Sequence, residues 1–287
     1  MVLPDTIGPD QPGVYILAND HVADWLIACL ASLRQTNPLL PVYIIPFDDE
    51  TQETHRIATA FGAGWFDSPH LSWLDEIGQG FSPGSHPRSH MFRKLSVFWG
   101  PLATFLYLDA DTVALGPLTP ILDAQADAGG VLFGDMDAAQ CFRGDLLGKM
   151  QGRQAHGNAG VFCAARGTLT PPLIASLSRD ALSVREDFTE NTDQAFLNFC
   201  LDRLGQRCLR LDAACPGLTS STWAAWTTTE GGGGFSLAGE TEGRLAVLHW
   251  AGLSMDAEMP NRSLWTGFYD QGKETINRSA AINRSAT

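Results

Sequence analysis

Positive charge is scarce in this chain: 19 Lys and Arg stand against 32 Asp and Glu in 287 residues, a formal net charge of −13. Such a surface repels a phosphate backbone, and the cations are scattered rather than clustered, so nucleic acid is excluded as an expected partner. Long hydrophobic runs are missing too. No stretch reaches the roughly 18 consecutive apolar residues of a membrane span. The opening residues MVLPDTIGPDQPG hold no basic segment followed by an apolar one, so no export leader is expected. The six cysteines, Cys29, Cys141, Cys163, Cys200, Cys208 and Cys215, form no C-x-x-C pair, and several sit in apolar runs. They read as reduced packing residues of a cytoplasmic protein. The Asn-Arg-Ser triplets at Asn261, Asn277 and Asn283 would accept glycans only in a secretory compartment and are read as chance. Charged residues make up only 18% of the chain and hydrophobic ones 44%, which excludes a disordered polymer and a coiled coil.

What is present is enough chain for one large α/β domain. The run Gly13 to Ala18 (GVYILA) is a buried strand that stops at Asn19-Asp20, where Asp20 is placed to cap a helix. Val22, Trp25, Leu26, Cys29, Leu30 and Leu33 then recur at helical steps. Pro41 to Phe47 is a second strand closed by Asp48-Asp49, a helix runs through Ile57 and Phe61, and Trp65-Phe66 begins a third strand. Continuous apolar strands alternating with helices predict a mostly parallel sheet with helices on both faces. Leu71 to His90, rich in Gly, Pro, Ser and His, reads as a loop, and Met91 to Trp99 as a helix. Strands are expected at Thr104 to Leu108, Gly130 to Gly134, Gly160 to Ala165 and Leu245 to Leu248. Helices are expected at Leu118 to Ala126, Leu173 to Val184 and Asp193 to Leu204. Thr219 to Glu242 reads as a flexible polar linker, and the repeated Ile-Asn-Arg-Ser-Ala at the end as a frayed tail.

The strand TFLYL ends in Asp109-Ala110-Asp111. Ligands of open α/β sheets bind beyond the carboxyl ends of strands, so this cluster is well placed for chemistry. Two carboxylates flanking a small residue can hold a hard cation such as Mn²⁺ or Mg²⁺ through oxygen. Two acids lining a solvated turn is the plain alternative. An acidic protein that takes up a phosphorylated small molecule needs such a cation between its carboxylates and the phosphates.

The string Tyr107-Leu108-Asp109-Ala110-Asp111-Thr112-Val113 resembles the Asp-x-Asp strand end of GT-A glycosyltransferases, family eight in particular, which includes glycogenin and bacterial lipopolysaccharide sugar transferases. Phe92-Arg93-Lys94-Leu95, Asn158-Ala159-Gly160-Val161, Asp193-Gln194 and Leu248-His249-Trp250-Ala251-Gly252 match in family order, between roughly Gly13 and Gly252. The resemblance implies a GT-A domain over 1–256, with a nucleotide-binding half at about 13–115, an acceptor-side half at about 116–256, and a C-terminal extension over 257–287. It implies Asp109, Asp111 and His249 as ligands of Mn²⁺ or Mg²⁺. It implies nucleotide-sugar contacts from Ala18, Asn19, Asp20, Asp48, Lys94, Ala110, Asp135 and Gly252 beside the two aspartates, and catalytic positions at Asp193, Gln194 and Asn158. The implied activity is hexosyl transfer from a UDP-sugar to a carbohydrate, lipid-linked or protein acceptor, with retention.

One departure stands out: family members commonly carry Lys-Pro-Trp after the His and Gly, whereas here Gly252 leads into Leu253-Ser254-Met255-Asp256. Two other readings use the same residues. A haloacid dehalogenase-like phosphatase would employ Asp109 as nucleophile and Asp111 as acid. A sugar-nucleotide or carbohydrate-binding protein without catalysis would use its tryptophans, among them Trp223 and Trp226, as stacking surfaces. Acceptor recognition is expected on Leu71 to His90 and Cys215 to Glu242.

Overall fold

The computed structural model describes residues 10–285 apart from 152, 154–155, 225–227, 232–233, 238–242 and 257. Its centre is a seven-stranded sheet in the order β3-β2-β1-β4-β7-β6-β8. The strands are β1 (Gly13–Ala18), β2 (Val42–Pro46), β3 (Gly64–Trp65), β4 (Thr104–Asp109), β6 (Val131–Phe133), β7 (Val161–Ala165) and β8 (Cys208–Arg210), with β5 (Thr112–Ala114) lying outside this sheet. Neighbours pair in parallel except around β7, which runs antiparallel to both β4 and β6. The sheet is therefore mostly parallel, as expected, with one reversed strand that continuous apolar runs do not announce.

Alternation along β1 sends its side chains into two cores. Val14, Ile16 and Ala18 join the core beneath α1 (Ala23–Thr36), while Tyr15 and Leu17 join the one beneath the 3-10 segment Met91–Trp99. The first core is closed by a long C-terminal helix, Arg262–Ser285, whose Trp265, Phe268 and Ile276 are buried. This replaces the frayed tail: a mostly polar sequence forms a helix because apolar residues recur on one face and dock on α1. Gly272 makes the approach possible, since a Cβ there would sit 2.4 Å from the Ile27 side chain.

Two other expectations give way to ordered structure. Leu71 to His90 holds α2 (Gln52–Ala60)'s successors α3 (Leu71–Phe81) and α4 (His86–His90), with Leu71, Leu74, Asp75, Gly78 and Phe81 forming the buried stripe. Within the stretch Thr219 to Glu242, the described residues include the end of β9 (Leu218–Ser221) and a hairpin of β10 (Thr228–Gly231) and β11 (Gly234–Leu237). Threonine suits a strand, so a polar Thr-rich segment need not be a linker. Met91–Trp99 is a 3-10 helix rather than an α-helix. Among the described residues, no helix is long and apolar enough to cross a membrane.

A second sheet, β5-β12-β9, brings β12 (Arg244–His249) beside β5. Its antiparallel register pairs His249 with Thr112 and Leu248 with Val113, and Trp250 N–H donates to the Asp111 carbonyl at 3.0 Å. The end of β12 is thereby fixed against Asp109-Ala110-Asp111.

Candidate active site

Asp109 closes β4, Asp111 opens the turn into β5, and His249 ends β12. His249 Nε2 lies 3.1 Å from Asp111 Oδ1 and 3.9 Å from Asp109 Oδ2. One ligand atom from each of the three falls within 4.8 Å of the others. His249 is almost fully covered at 3% exposure, while the aspartates keep 29% and 25%. Burial pulls the His249 pKa down, but Asp111 more than reverses this and holds it above the ordinary value. Burial likewise opposes ionised Asp111, yet His249 keeps its carboxyl below the ordinary value.

The three residues fit a hard divalent cation. Two carboxylates and an imidazole form a suitable donor set. The buried His249 Nδ1 has no hydrogen-bond partner among the described residues, so nothing on that side fixes which nitrogen carries the proton. Gly160 keeps the cluster open, because a Cβ there would lie 2.2 Å from His249 Cε1 and 2.7 Å from Asp109 Oδ2. The Gly160 carbonyl in turn accepts from Asp109 N–H at 2.8 Å.

Lys94 stands behind Asp109. Its Nζ is 2.8 Å from Asp193 Oδ2, 3.7 Å from Asp109 Oδ1 and 5.3 Å from the Tyr107 ring centre. Burial disfavours the ammonium, but Asp109 and Asp193 outweigh it and raise its pKa. Tyr107 Oη donates to Asp109 Oδ1 at 2.6 Å, with burial first and Asp109 next pushing the phenol well above its ordinary pKa. Asp193 sits in the first turn of the helix Thr192–Arg203, the capping position being Asn191. Gln194 Oε1 accepts from Ala159 N–H at 2.9 Å and its Nε2 donates to the Gln140 carbonyl at 3.0 Å. Asn158 Oδ1 accepts from Gly160 N–H at 2.8 Å. The Asn158-Gly160 turn is thus shaped by its own side chain and by the helix Thr192–Arg203.

Two cavities meet at the aspartates. One, of about 690 Å³, is lined by Ala18, Asn19, Asp48, Trp25 and Ala110 together with Asp109 and Asp111. The other, of about 390 Å³, shares Asp109 and Asp111 and adds Lys94, Asn158, Asp193, Gln194, His249 and Gly252. Asn19 Nδ2 donates to Asp48 Oδ2 at 2.6 Å across the first cavity's wall. Gly252 has φ +68°, the left-handed conformation that glycine adopts without strain, just after His249.

Asp20 and Asp135 line neither cavity. Asp20 does not cap α1; it accepts from Glu53 N–H at 3.1 Å and Thr54 N–H at 2.8 Å, at the start of α2. Asp135 accepts from its neighbour Met136 N–H at 2.8 Å and from Gln140 Nε2 at 3.3 Å. Several residues at the site escaped the sequence reading. Tyr107 was legible in principle, two positions before Asp109 on one strand face. Arg88 and Glu190 also line the second cavity, with Arg88 donating to the Glu190 carbonyl, but they meet only through the fold. Trp226 lies outside the described residues.

No family model and no curated protein matches the sequence. Solved structures do. The galactosyltransferase LgtC, solved in complex with donor and acceptor sugar analogs, superposes with a TM-score of 0.56 at 17% identity, over 91% of this chain and 95% of that one. The mouse xyloside xylosyltransferase 1 has a TM-score of 0.56 at 12% identity, over 84% and 97%. The glycosyltransferase GlyE of Streptococcus pneumoniae has a TM-score of 0.53 at 14% identity; the match covers 96% of this chain and 64% of GlyE. The chain has the GT-A fold. At such identities the likeness concerns architecture, and function rests on the site.

Proposed function

We propose that the protein is a metal-dependent glycosyltransferase that moves a hexosyl group from a UDP-sugar to an acceptor hydroxyl with retention of anomeric configuration. The observation that carries this reading is the Asp109, Asp111 and His249 cluster on the wall shared by two cavities. In this reading the nucleoside occupies the cavity at the ends of β1 and β2, with Ala18, Asn19, Asp48 and Ala110 around it. The diphosphate lies at the cluster, and the sugar faces Asn158, Asp193, Gln194 and Lys94. The nucleotide-binding half ends near residue 115, and the acceptor side follows.

A Mn²⁺ or Mg²⁺ held by Asp109, Asp111 and His249 supplies Lewis-acid stabilisation of the charge that develops on the departing diphosphate. The protein's own part is to position and to exclude water. The 2.8 Å ion pair with Lys94 supports retention, since an inverting base needs a free carboxylate and Asp193 Oδ2 is engaged. The phosphatase reading has less support: its general acid would be Asp111, a carboxyl that His249 keeps ionised against the effect of burial. Free thiols at all six cysteines support a reducing compartment, the cytoplasm.

Calorimetric titration of UDP into the protein, with Mn²⁺ and then with EDTA, tests the proposal. Binding that requires the metal and disappears in a folded Asp111→Ala variant is the expected result. Equal binding with EDTA, or in that variant, would remove the central claim.

A further inference from the structure

Trp223 is 44% exposed and is the one aromatic among the exposed large apolar side chains of the described residues. It lines the cavity of Lys94, Asp193 and His249 and is absent from the lining of the cavity at the ends of β1 and β2. It is therefore not placed to stack on the nucleobase of the proposed donor.

Its position is held from both sides. Before it, Ser221 pairs with Leu248 in the β9-β12 ladder, and the Thr222 carbonyl accepts from Ala251 N–H at 3.2 Å. After it, Ala224 has φ +43° with a fully buried side chain, and its carbonyl accepts from Asn261 Nδ2 at 2.9 Å. A non-glycine residue in the left-handed region is strained, because its Cβ crowds the following carbonyl oxygen. Such strain persists where surrounding structure enforces it, and it directs attention to what the segment presents. Here it presents an indole to the cavity mouth.

Charge narrows what the indole meets. The cavity wall carries Asp109, Asp111, Glu190 and Asp193 against the cations Arg88 and Lys94. A divalent ion at the cluster balances that excess, and a donor diphosphate then makes the sum negative again. No positive charge is left over for an anionic acceptor. Resting on the glycosyltransferase reading, we infer that Trp223 is the acceptor platform and that the acceptor is an uncharged pyranoside, its C–H face laid on the indole.

Saturation-transfer NMR on the full chain with UDP and Mg²⁺, which is diamagnetic, tests this. The probes are methyl β-galactoside, methyl α-glucoside and methyl β-glucoside, with galactose 6-phosphate as the charged comparison. At least one neutral glycoside should receive saturation at its ring C–H protons. Trp223→Ala should weaken that binding at least tenfold, while Trp223→Phe retains most of it. If the Ala variant does not fold, Trp223→Leu, which keeps an apolar side chain and loses the ring, should show the same loss. Absence of binding by every neutral glycoside, binding unchanged without the ring, or tighter binding of the phosphorylated sugar would each overturn the inference. UDP binding by the unmutated protein is measured separately. Glycoside binding through Trp223 without any UDP binding would overturn the transferase reading and leave the pyranose platform standing.

Discussion

Lys94 Nζ lies 2.8 Å from Asp193 Oδ2, joining the 3-10 segment before β4 to the first turn of the helix Thr192–Arg203 beside the second cavity. Their side chains are only 4% and 12% exposed, so the pair is a buried one. Removing one partner leaves the other charge without compensation, at a cost of about 3–5 kcal/mol, whereas replacing both with apolar groups costs far less. Lys94→Met should therefore destabilise the fold by about that amount in urea unfolding. The double variant Lys94→Met/Asp193→Leu should recover part of the loss, the remainder reflecting Asp109, which stands 3.7 Å from Lys94 Nζ and still lacks its cation. Additive losses would show that the two side chains act independently.

Gly160→Ala tests how tightly the cluster of Asp109, Asp111 and His249 is enclosed. Its Cβ would stand 2.2 Å from His249 Cε1 and 2.7 Å from Asp109 Oδ2, so these side chains or the β7 end must shift. Overpacking of this kind costs about 1–3 kcal/mol. The variant should fold with a lowered urea midpoint and bind Mn²⁺ at least tenfold more weakly, as read by the paramagnetic signal of free Mn²⁺. Unchanged affinity would mean that the backbone absorbs the methyl group without moving His249 or Asp109.

The parts of the molecule legible in sequence are those whose local pattern matches their final environment. β1, β2 and β4 are buried on both faces and read as unbroken apolar runs. Asp109 and Asp111 follow one of them directly, so the centre of the site could be located before its partners. α3 was hidden by Gly78 and Gly80, which read as loop residues. Gly78 is small for a reason that only the fold reveals: a Cβ there would lie 2.4 Å from the Ser89 carbonyl oxygen. The reversal of β7 and the hairpin of β10 and β11 depend on which strands pair, information that no short window contains. Asp20 illustrates the same limit, since the helix it supports begins more than thirty residues later in the chain.

Arg93 makes the most demanding polar contact near the cavity at the ends of β1 and β2. Its Nε and Nη2 donate to Asp75 Oδ1 at 2.8 Å and Oδ2 at 2.6 Å, and Nη1 donates to the Pro46 carbonyl at 3.1 Å. His90, which lines the cavity, has Nδ1 3.0 Å from Asp75 Oδ1. A lysine keeps the charge but cannot reproduce the planar fork. Arg93→Lys should lower stability by about 2 kcal/mol, the scale of a buried hydrogen bond to a charged group. The urea midpoint should fall with an unchanged slope. A shift within error of zero would mean that ammonium and guanidinium serve equally well here.

Asp20 gives a pH-dependent prediction. The capping residue of α2, Thr51, makes no side-chain capping bond, and Asp20, just after β1, supplies the acceptors instead. Burial tends to raise its pKa, but the amides of Thr54 and Glu53 outweigh this, so the folded-state value lies below the ordinary one. A depressed carboxyl pKa stabilises the fold at every pH above the unfolded value of about 3.9, and that contribution disappears as pH falls through the folded value. Asp20→Ala should therefore cost about 1 kcal/mol at pH 7, the usual worth of a capping acceptor. Urea midpoints of the two proteins should stay equally far apart from pH 7 to pH 5 and converge below pH 4. A gap that persists undiminished at the acid end would assign the effect to packing of the side chain rather than to its charge at the helix start.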